Sequence, residues 1–238
     1  MISASRKNSG NQKKIAIFDM DNTLLRRSFI YSAAEKFGFE KELFEIVATQ
    51  PNPFARTRQI ARLLKGKSTN ELLKLAGEIP ITDNTQKTID TFKANSFLVG
   101  IMSDSYNCIT HYMKNRFSFD FSLGNELGFS NNIATGEVKI HSFYLSHEES
   151  ICDHEYCKTH ALTHICKKFN VAVSDSLVIG DGENDICMIQ KSGIGISFCS
   201  SNNLVDEVAD FVIKEPNFNL LTPIIKNSIG PLANLNLC

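Results

Sequence analysis

Short apolar segments alternate with helical patterns along most of the chain. Five runs rich in Val, Ile and Phe, each bounded by polar or glycine-containing positions, cover residues 15–18, 97–102, 176–180, 194–197 and 210–213. Runs of this length and composition favour fully buried strands of a parallel sheet. Residues 85–95 and 159–170, which lie between such runs, carry a helical pattern. Strands that alternate with helices predict an α/β fold.

One interval breaks this alternation. The chain between the first two runs is far longer than the dozen or so residues that a plain crossover needs. Four stretches within it have helical character, at 28–39, 41–50, 54–66 and 68–79. The last two repeat apolar residues at three-four spacing, as amphipathic helices do. We therefore predict a helical insertion, residues 28–81, that covers the ends of the strands.

The pattern outside the insertion defines the rest of the molecule. Residues 1–14 are basic and mostly polar, and predict a flexible lead. Residues 15–27 and 82–238 form the predicted core. Within the core, residues 124–140 place Gly and Asn turns between apolar positions, which predicts a β-hairpin near the edge of the sheet.

Composition and charge narrow the class of protein. Of the 238 residues, 42% are hydrophobic, which is enough for a packed core. A net charge of −1 gives no electrostatic reason to expect nucleic acid or an anionic membrane as a partner. No apolar run has the length that a membrane span needs. Seven cysteines without secretory features favour reduced thiols and a cytoplasmic location.

Polar side chains follow three of the predicted strands, where ligands bind in open parallel sheets. They are Asp19 and Asp21 after the first, Ser103, Asp104 and Ser105 after the second, and Asp181 and Asp185 after the third. Carboxylates that share a cleft repel one another and raise each other's pKa values. A hard divalent cation such as Mg²⁺ relieves this repulsion and prefers oxygen ligands.

Such a cluster suits phosphoryl transfer. With a metal present, one carboxylate can attack phosphorus and form an aspartyl phosphate. A carboxyl two residues on can protonate the leaving alcohol and later activate water. Ser103 and Lys158, the latter at the start of a helical stretch, can hold the phosphoryl oxygens. Lys139 and Lys167 lie in the same half of the chain and are alternatives for the lysine.

Four motifs in this order resemble the haloacid dehalogenase-like phosphatase superfamily along nearly the whole chain. They are "DMDNT" (19–23), "IMSDS" (101–105), Lys158 in "EYCKTHAL" (155–162) and "GDGENDICM" (180–188). The resemblance implies a Rossmann-like core with a parallel sheet. The insertion directly after the first motif implies a helical-bundle cap of the C1 type.

The resemblance also implies a role for each motif residue. Asp19 would be the nucleophile and a Mg²⁺ ligand, and Asp21 the general acid and base, with its backbone carbonyl on the metal. Asp181 would be the third protein ligand, and Asp185 would lie just outside the metal's ligands or contact the metal through water. Ser103 and Lys158 would bind phosphate, with Asp104 beside them.

Within the superfamily the chain is most similar to phosphoserine phosphatases, but it departs from them at the organic end of the substrate. The usual cap glutamate would fall near Ser28, whereas the nearest acid on that helix is Glu35. The motif serine is usually followed by two glycines, where this chain has Asp104 and Ser105. The "SDS" form is also similar to phosphatases of phosphoethanolamine, phosphocholine or pyridoxal phosphate, and sugar phosphates are a further alternative.

Several residues are candidates for substrate selection. They are Arg27, Ser28, Arg58 and Ser105, and a substrate carboxylate could also meet Arg56 or Arg62. Arg27 is equally compatible with a solvated charge. The expected partner is a small phosphorylated metabolite. The sequence leaves the oligomeric state open.

Other functions remain as alternatives. A phosphomutase would use the same aspartate pair, whereas a dehalogenase has no use for the acid at Asp21. A non-catalytic binder of phosphorylated ligands would have no reason to retain both nucleophile and acid.

The segment 152–166 contains three cysteines and three histidines. Its spacing does not match the usual structural zinc patterns, which leave a longer loop between ligand pairs. His160 and His164 share a helix face, so a metal site is possible there. We interpret the segment as buried thiols and partly exposed histidines.

Overall fold

The computed structural model describes residues 14–229, so the predicted flexible lead lies almost wholly outside the described residues. Seven strands form one sheet in the order β4-β3-β2-β1-β5-β6-β7. The strands are β1 Lys14–Phe18, β2 Phe97–Tyr106, β3 Phe121–Ser130, β4 Ile133–Lys139, β5 Ser176–Gly180, β6 Ile194–Phe198 and β7 Phe211–Ile213. Neighbours pair in parallel except β3 and β4, which form the antiparallel hairpin at one edge. The predicted α/β fold class and the hairpin are confirmed.

Helices cover both faces of the sheet. They are α1 Phe29–Phe37, α2 Glu40–Thr49, α3 Pro53–Leu63, α4 Thr69–Glu78, α5 Thr85–Ala94, α6 Asn107–Phe117, α7 Lys158–Phe169, α8 Ile186–Lys191, α9 Asn203–Val208 and α10 Thr222–Ile229. Along β1, Ala16 and Phe18 belong to one apolar cluster, while Ile15 and Ile17 belong to the other. This explains the unbroken apolar run of β1, because a strand covered on both faces has no solvent-facing positions.

Local sequence signals start and stop the helices of the insertion. Asn52 caps α3 by accepting a hydrogen bond from the N–H of Ala55 at 2.9 Å, and Pro53 occupies the first turn. Ser68 and Glu71 form a reciprocal capping box at the start of α4. Gly38 ends α1 at φ 78°, a left-handed conformation that glycine adopts without strain.

The insertion is tied to the rest of the molecule in two places. Where the chain enters and leaves the insertion, the backbone N–H of Arg26 donates to the carbonyl of Pro80 at 2.8 Å. The backbone N–H of Thr82 donates to the carbonyl of Leu24 at 3.0 Å. Its α3–α4 loop also pairs with the hairpin. Gly66 donates to the carbonyl of Ala134 at 2.9 Å, and the N–H of Ala134 returns a bond to Lys67 at 2.8 Å. The first pair of bonds joins the two ends of the insertion, and the second holds its α3–α4 loop against the hairpin.

Gly180, the last residue of β5, leaves room for a buried carboxylate. A Cβ atom at this position would lie 2.6 Å from Cγ of Asp185, whose side chain is fully buried. A methyl group there would push Asp185 out of place, and the packed surroundings offer little relief.

We expect Gly180→Ala to lower the free energy of unfolding by about 1–3 kcal/mol, the usual cost of overpacking a buried site. Urea unfolding of the metal-free protein measures this. Gly77→Ala is the matched control, because its methyl group would meet only the hydroxyl end of Tyr112 and alanine favours the α4 helix. An equal loss in both variants would contradict the explanation.

Candidate active site

The carboxyl end of β1 places Asp19 at the centre of the site. Its backbone N–H donates to the carbonyl of Ile179 at 2.8 Å, which continues the pairing of β1 with β5 by one residue. The Asp19 side chain is buried, with only 4% of the residue exposed. The central position of β1 thus carries this carboxylate into the interior of the protein.

A wide turn over Met20–Leu24 follows Asp19 and contains Asp21. The N–H of Leu25 closes it on the carbonyl of Met20 at 2.8 Å, and Asn22 adopts a left-handed φ of 58° that asparagine tolerates. The carboxylate of Asp21 accepts a hydrogen bond from the N–H of Phe29 at 2.5 Å. Asp21 is therefore held by the first residue of α1.

Lys158, the first residue of α7, joins two of the carboxylates. Its Nζ atom donates to Oδ1 of Asp19 at 2.5 Å and to Oδ1 of Asp185 at 2.8 Å, and only 2% of the residue is exposed. Burial alone would lower the pKa of Lys158, but Asp185 and Asp19 together raise it well above its ordinary value. Lys158 therefore stays protonated between them.

The two alternative lysines lie elsewhere. Lys139 pairs with Glu126 at 3.6 Å, and Lys167 pairs with Glu149 at 2.7 Å. Both side chains are more than two-thirds exposed. Lys158 is the lysine that the structure brings to Asp19.

The loop after β5 brings the remaining acids to the same point. Asp185 Oδ2 accepts hydrogen bonds from the N–H groups of Asp181 and Gly182, at 3.2 and 3.1 Å. Oδ1 of Asp181 accepts a bond from the hydroxyl of Thr23 at 2.9 Å. Carboxylate oxygens of Asp19, Asp181 and Asp185 all lie within 4.8 Å of one another.

The acidic groups raise each other's pKa values. Burial, followed by the charge of Asp185, raises the pKa of Asp19 well above its ordinary value against the opposing effect of Lys158. The same two causes raise the pKa of Asp181 to about 6. Oxygen donors this close, with raised pKa values, suit a hard divalent cation, which would stabilise their charged forms.

Asp21 differs from the other acids in its surroundings. Burial raises its pKa to about 7, with a smaller contribution from Asp104, while the hydrogen bond from Phe29 opposes the shift. A carboxyl group of this pKa can both give and take a proton near neutral pH, which is what a general acid and base requires.

Polar contacts connect the second motif to its neighbours. The hydroxyl of Tyr144 donates to the carbonyl of Ser103 at 2.5 Å, and the N–H of Ser105 donates to Oγ of Ser103 at 3.1 Å. The carboxylate of Asp104 accepts a bond from the side-chain amide of Asn184 at 3.0 Å. Sequence reasoning missed Tyr144, which no motif marks, whereas Asn184 lies inside the quoted acidic loop.

A cavity of about 660 Å³ lies between the insertion and the strand ends. Its walls include the predicted residues Asp21, Ser28, Asp104, Ser105 and Lys158, together with Ile30, Pro51, Pro53, Arg56, Thr57, Ile60, Tyr106, His154, Tyr156, Cys157, Glu183, Asn184 and Cys187. The cavity therefore combines charged groups at its base with apolar side chains from the insertion.

Two predicted selectivity residues do not line this cavity. Arg27 is exposed and pairs with Glu35 at 2.6 Å. Arg58 is exposed on α3, whereas Arg56 faces the cavity. Residues two apart lie on opposite sides of a helix, so one helix cannot present both arginines to the same cavity.

Within residues 14–229, no helix is both long and apolar enough to cross a lipid bilayer.

Comparisons with known proteins agree with this geometry. Phosphoserine phosphatase of Methanocaldococcus jannaschii is 26% identical over 90% of this chain and 99% of its own length. That of Archaeoglobus fulgidus is 25% identical over 90% of this chain, which spans 60% of that longer protein.

Solved structures show the same fold. A phospho-aspartyl intermediate analogue of phosphoserine phosphatase is 25% identical, with a TM-score of 0.74, and the match covers 90% of this chain and 99% of that one. A haloacid dehalogenase family hydrolase from Salmonella enterica has a TM-score of 0.79 at 20% identity and supports the fold alone. The match covers 92% of this chain and 72% of the Salmonella chain.

The family assignment comes from the sequence match itself. The model of the haloacid dehalogenase-like hydrolase family matches residues 40–219, which is well over half of the chain. The resemblance inferred from the four motifs is confirmed. This chain belongs to the haloacid dehalogenase-like hydrolases.

Proposed function

We propose that this protein is a Mg²⁺-dependent phosphatase that hydrolyses a small phosphomonoester through an aspartyl phosphate on Asp19. The observation that carries the proposal is the pairing of Asp19 with Lys158 at 2.5 Å, beside the two acids of the β5 loop. The phosphoserine phosphatases to which the chain is similar support the same reaction class.

In the first step, one oxygen of Asp19 attacks phosphorus. An Asp–O–P bond forms while the ester P–O bond breaks, and the leaving oxygen takes the proton of Asp21. Lys158 bonds one carboxylate oxygen of Asp19, which keeps the group in place while the other oxygen reacts. The hydroxyl of Ser103 and the ammonium of Lys158 stabilise the charge that builds on the phosphoryl oxygens.

In the second step, Asp21 acts as a base. Its carboxylate removes a proton from a water molecule, whose oxygen attacks phosphorus while the bond to Asp19 breaks. Inorganic phosphate leaves, and Asp21 is protonated again for the next turnover. A pKa of about 7 suits both halves of this cycle.

Asp19, Asp181 and Asp185 are the residues that would hold Mg²⁺, with the backbone carbonyl of Asp21. When bound, the ion supplies positive charge opposite the phosphoryl oxygens and offsets the repulsion among the carboxylates. The all-oxygen donor set, with its raised pKa values, supports this assignment.

The cavity favours a substrate that carries both a negative and a positive group at its organic end. Arg56 reaches it from α3, and no carboxylate within residues 14–229 forms an ion pair with this arginine. Asp104 and Ser105 lie on the opposite, strand side. A phosphorylated amino acid such as phosphoserine presents a carboxylate to Arg56 and an ammonium to Asp104. Phosphoethanolamine and phosphocholine lack the carboxylate, and they are the main alternatives with pyridoxal phosphate and sugar phosphates.

Two further expectations belong to this proposal. Residues 28–81 would act as a cap over a core of 15–27 and 82–238, excluding bulk water during the reaction. A cytoplasmic location is favoured by the seven cysteines, which suit a reducing compartment.

We expect Asp19→Asn to lower the rate of phosphate release by about 10³-fold or more, because the amide cannot form the aspartyl phosphate. Phosphate release from phosphoserine, phosphoethanolamine, phosphocholine, pyridoxal phosphate and sugar phosphates in the presence of Mg²⁺ measures this. Omitting Mg²⁺ should stop turnover of the wild-type protein as well. The exposed Asp90→Asn is the matched control. Near-normal turnover by the Asp19→Asn variant would exclude Asp19 as the nucleophile.

The pKa of Asp21 makes stability depend on pH. Its value of about 7 in the folded protein lies above the ordinary 3.8, so the folded state retains a proton that the unfolded state releases. Stability therefore falls as pH rises from about 4 to about 7. We expect metal-free Asp21→Asn to be more stable than the wild type by over about 1 kcal/mol at pH 8 but not at pH 4. Urea unfolding at both values measures this, and a gain that is equal at the two pH values would contradict the assignment.

Arg56→Ala tests the substrate class. Loss of a charge-assisted hydrogen bond costs about 1.5–3 kcal/mol, so we expect KM for phosphoserine to rise about 10- to 100-fold. KM for phosphoethanolamine should stay nearly unchanged, because that substrate has no carboxylate. Arg58→Ala, on the opposite side of the same helix, is the control. An equal rise for both substrates would show that Arg56 does not bind the carboxylate.

A further inference from the structure

A second cluster of ligating side chains lies beside the carboxylates. It comprises Cys152, His154, Cys157 and Cys187, which we call the thiol cluster. One ligating atom of each, sulfur or ring nitrogen, lies within 4.8 Å of all the others. Nδ1 of His154 is 2.9 Å from Sγ of Cys152 and 3.5 Å from Sγ of Cys187. Three members precede α7 in the chain, and the fourth comes from α8.

We propose that the thiol cluster binds one Zn²⁺ ion as a closed structural site. Tetrahedral Zn²⁺ with bonds of about 2.3 Å to sulfur and 2.0 Å to nitrogen separates the ligand atoms of such a site by about 3.5–3.8 Å. The separations of 2.9 and 3.5 Å at Nδ1 of His154, and the 4.8 Å limit on the others, lie within about 1 Å of this geometry, so modest side-chain rotations complete it. Three thiols and an imidazole are soft donors that select Zn²⁺ over Mg²⁺. Because the protein supplies all four ligands, the ion keeps no open position for catalysis.

Neighbouring groups orient the ligands. Cys157 is the N-cap of α7, and its sulfur accepts a hydrogen bond from the N–H of Thr159 at 3.5 Å. The ring of His160 donates from Nε2 to the carbonyl of His154 at 2.7 Å, which holds the ligand loop. Such outer contacts commonly fix the ligands of metal sites.

The location of the cluster differs from what the sequence indicated. The spacing within 152–166 drew attention to His160 and His164 as ligands that share a helix face. The structure buries His160 against the carbonyl of His154 and stacks His164 on Phe143, with ring centroids 5.5 Å apart. The fourth ligand is instead Cys187, which the packing of α8 against α7 brings to the loop.

The site would position the catalytic elements without touching the substrate's phosphorus. Cys157 directly precedes Lys158, and Cys187 follows Asp185 by two residues. A metal bridge between these cysteines therefore runs beside the Lys158–Asp185 bond of 2.8 Å. The ligand loop also places Tyr156 against Phe54 of α3, with ring centroids 5.3 Å apart. The ion would thus hold the wall on which the helical insertion rests.

Metal analysis of the purified full-length protein tests the proposal. Protein produced with Zn²⁺ and dialysed should retain close to one zinc per chain by mass spectrometry of the metal. Cys152→Ser and Cys187→Ser should each lower that content at least tenfold, whereas Cys108→Ser, which lies outside the cluster, should not. Replacement by Co²⁺ should give the thiolate charge-transfer absorption and strong visible bands of tetrahedral cobalt.

A rescue pair covers the case in which a serine variant fails to fold. His154→Cys should keep zinc, because four thiolates also bind it in a tetrahedron, whereas His154→Ala should lose it. Asp19→Asn should lose turnover and keep zinc, so the proposed reaction and the metal site fail independently. Zinc absent from the wild type, or a Cys152–Cys157 disulfide in the peptide map, would overturn the proposal. So would zinc that survives Cys187→Ser but is lost in Asp181→Asn.

Discussion

The ammonium group of Lys158 is what allows a cluster of acids to exist inside this protein. It bonds Asp19 and Asp185 at once, at 2.5 and 2.8 Å, and almost no water reaches it. A buried charge without a partner costs several kcal/mol, so the lysine and the two carboxylates each need an opposite charge beside them. The lysine comes from the start of α7 and the acids from the ends of β1 and the β5 loop. The fold therefore has to place three separate elements correctly before any of these charges is tolerable.

Hard and soft donors are sorted within a few residues of one another. Asp185 and Cys187 are two positions apart, at the junction of the β5 loop and α8, yet their side chains join different clusters. Carboxylates gather around the lysine, and the thiols form a separate group with His154. Because ligand softness influences metal preference, the proposed Mg²⁺ site and the proposed zinc site can share one short segment.

The strands, the helices and the motif residues could be predicted from the sequence because each has a local signal. Apolar runs mark buried strands, and an acid directly after such a run marks the strand end. Contacts between distant segments have no such signal. Arg56 lines the cavity and Arg58 does not, and this depends on the rotation of α3 about its axis. Tertiary packing alone brings Cys187 close to residues 152–157. It also pairs residues 66–69 with the hairpin.

The central place of β1 has a consequence for how the chain folds during synthesis. Among the described strands it comes first in the chain, and it pairs on one side with β2 and on the other with β5, which begins only at Ser176. An apolar strand with an unpaired edge is open to wrong partners. The long-range pairing that closes it is also slow to form. The nascent protein must therefore protect the strand that precedes Asp19 until the residues of β5, Ser176–Gly180, have been made.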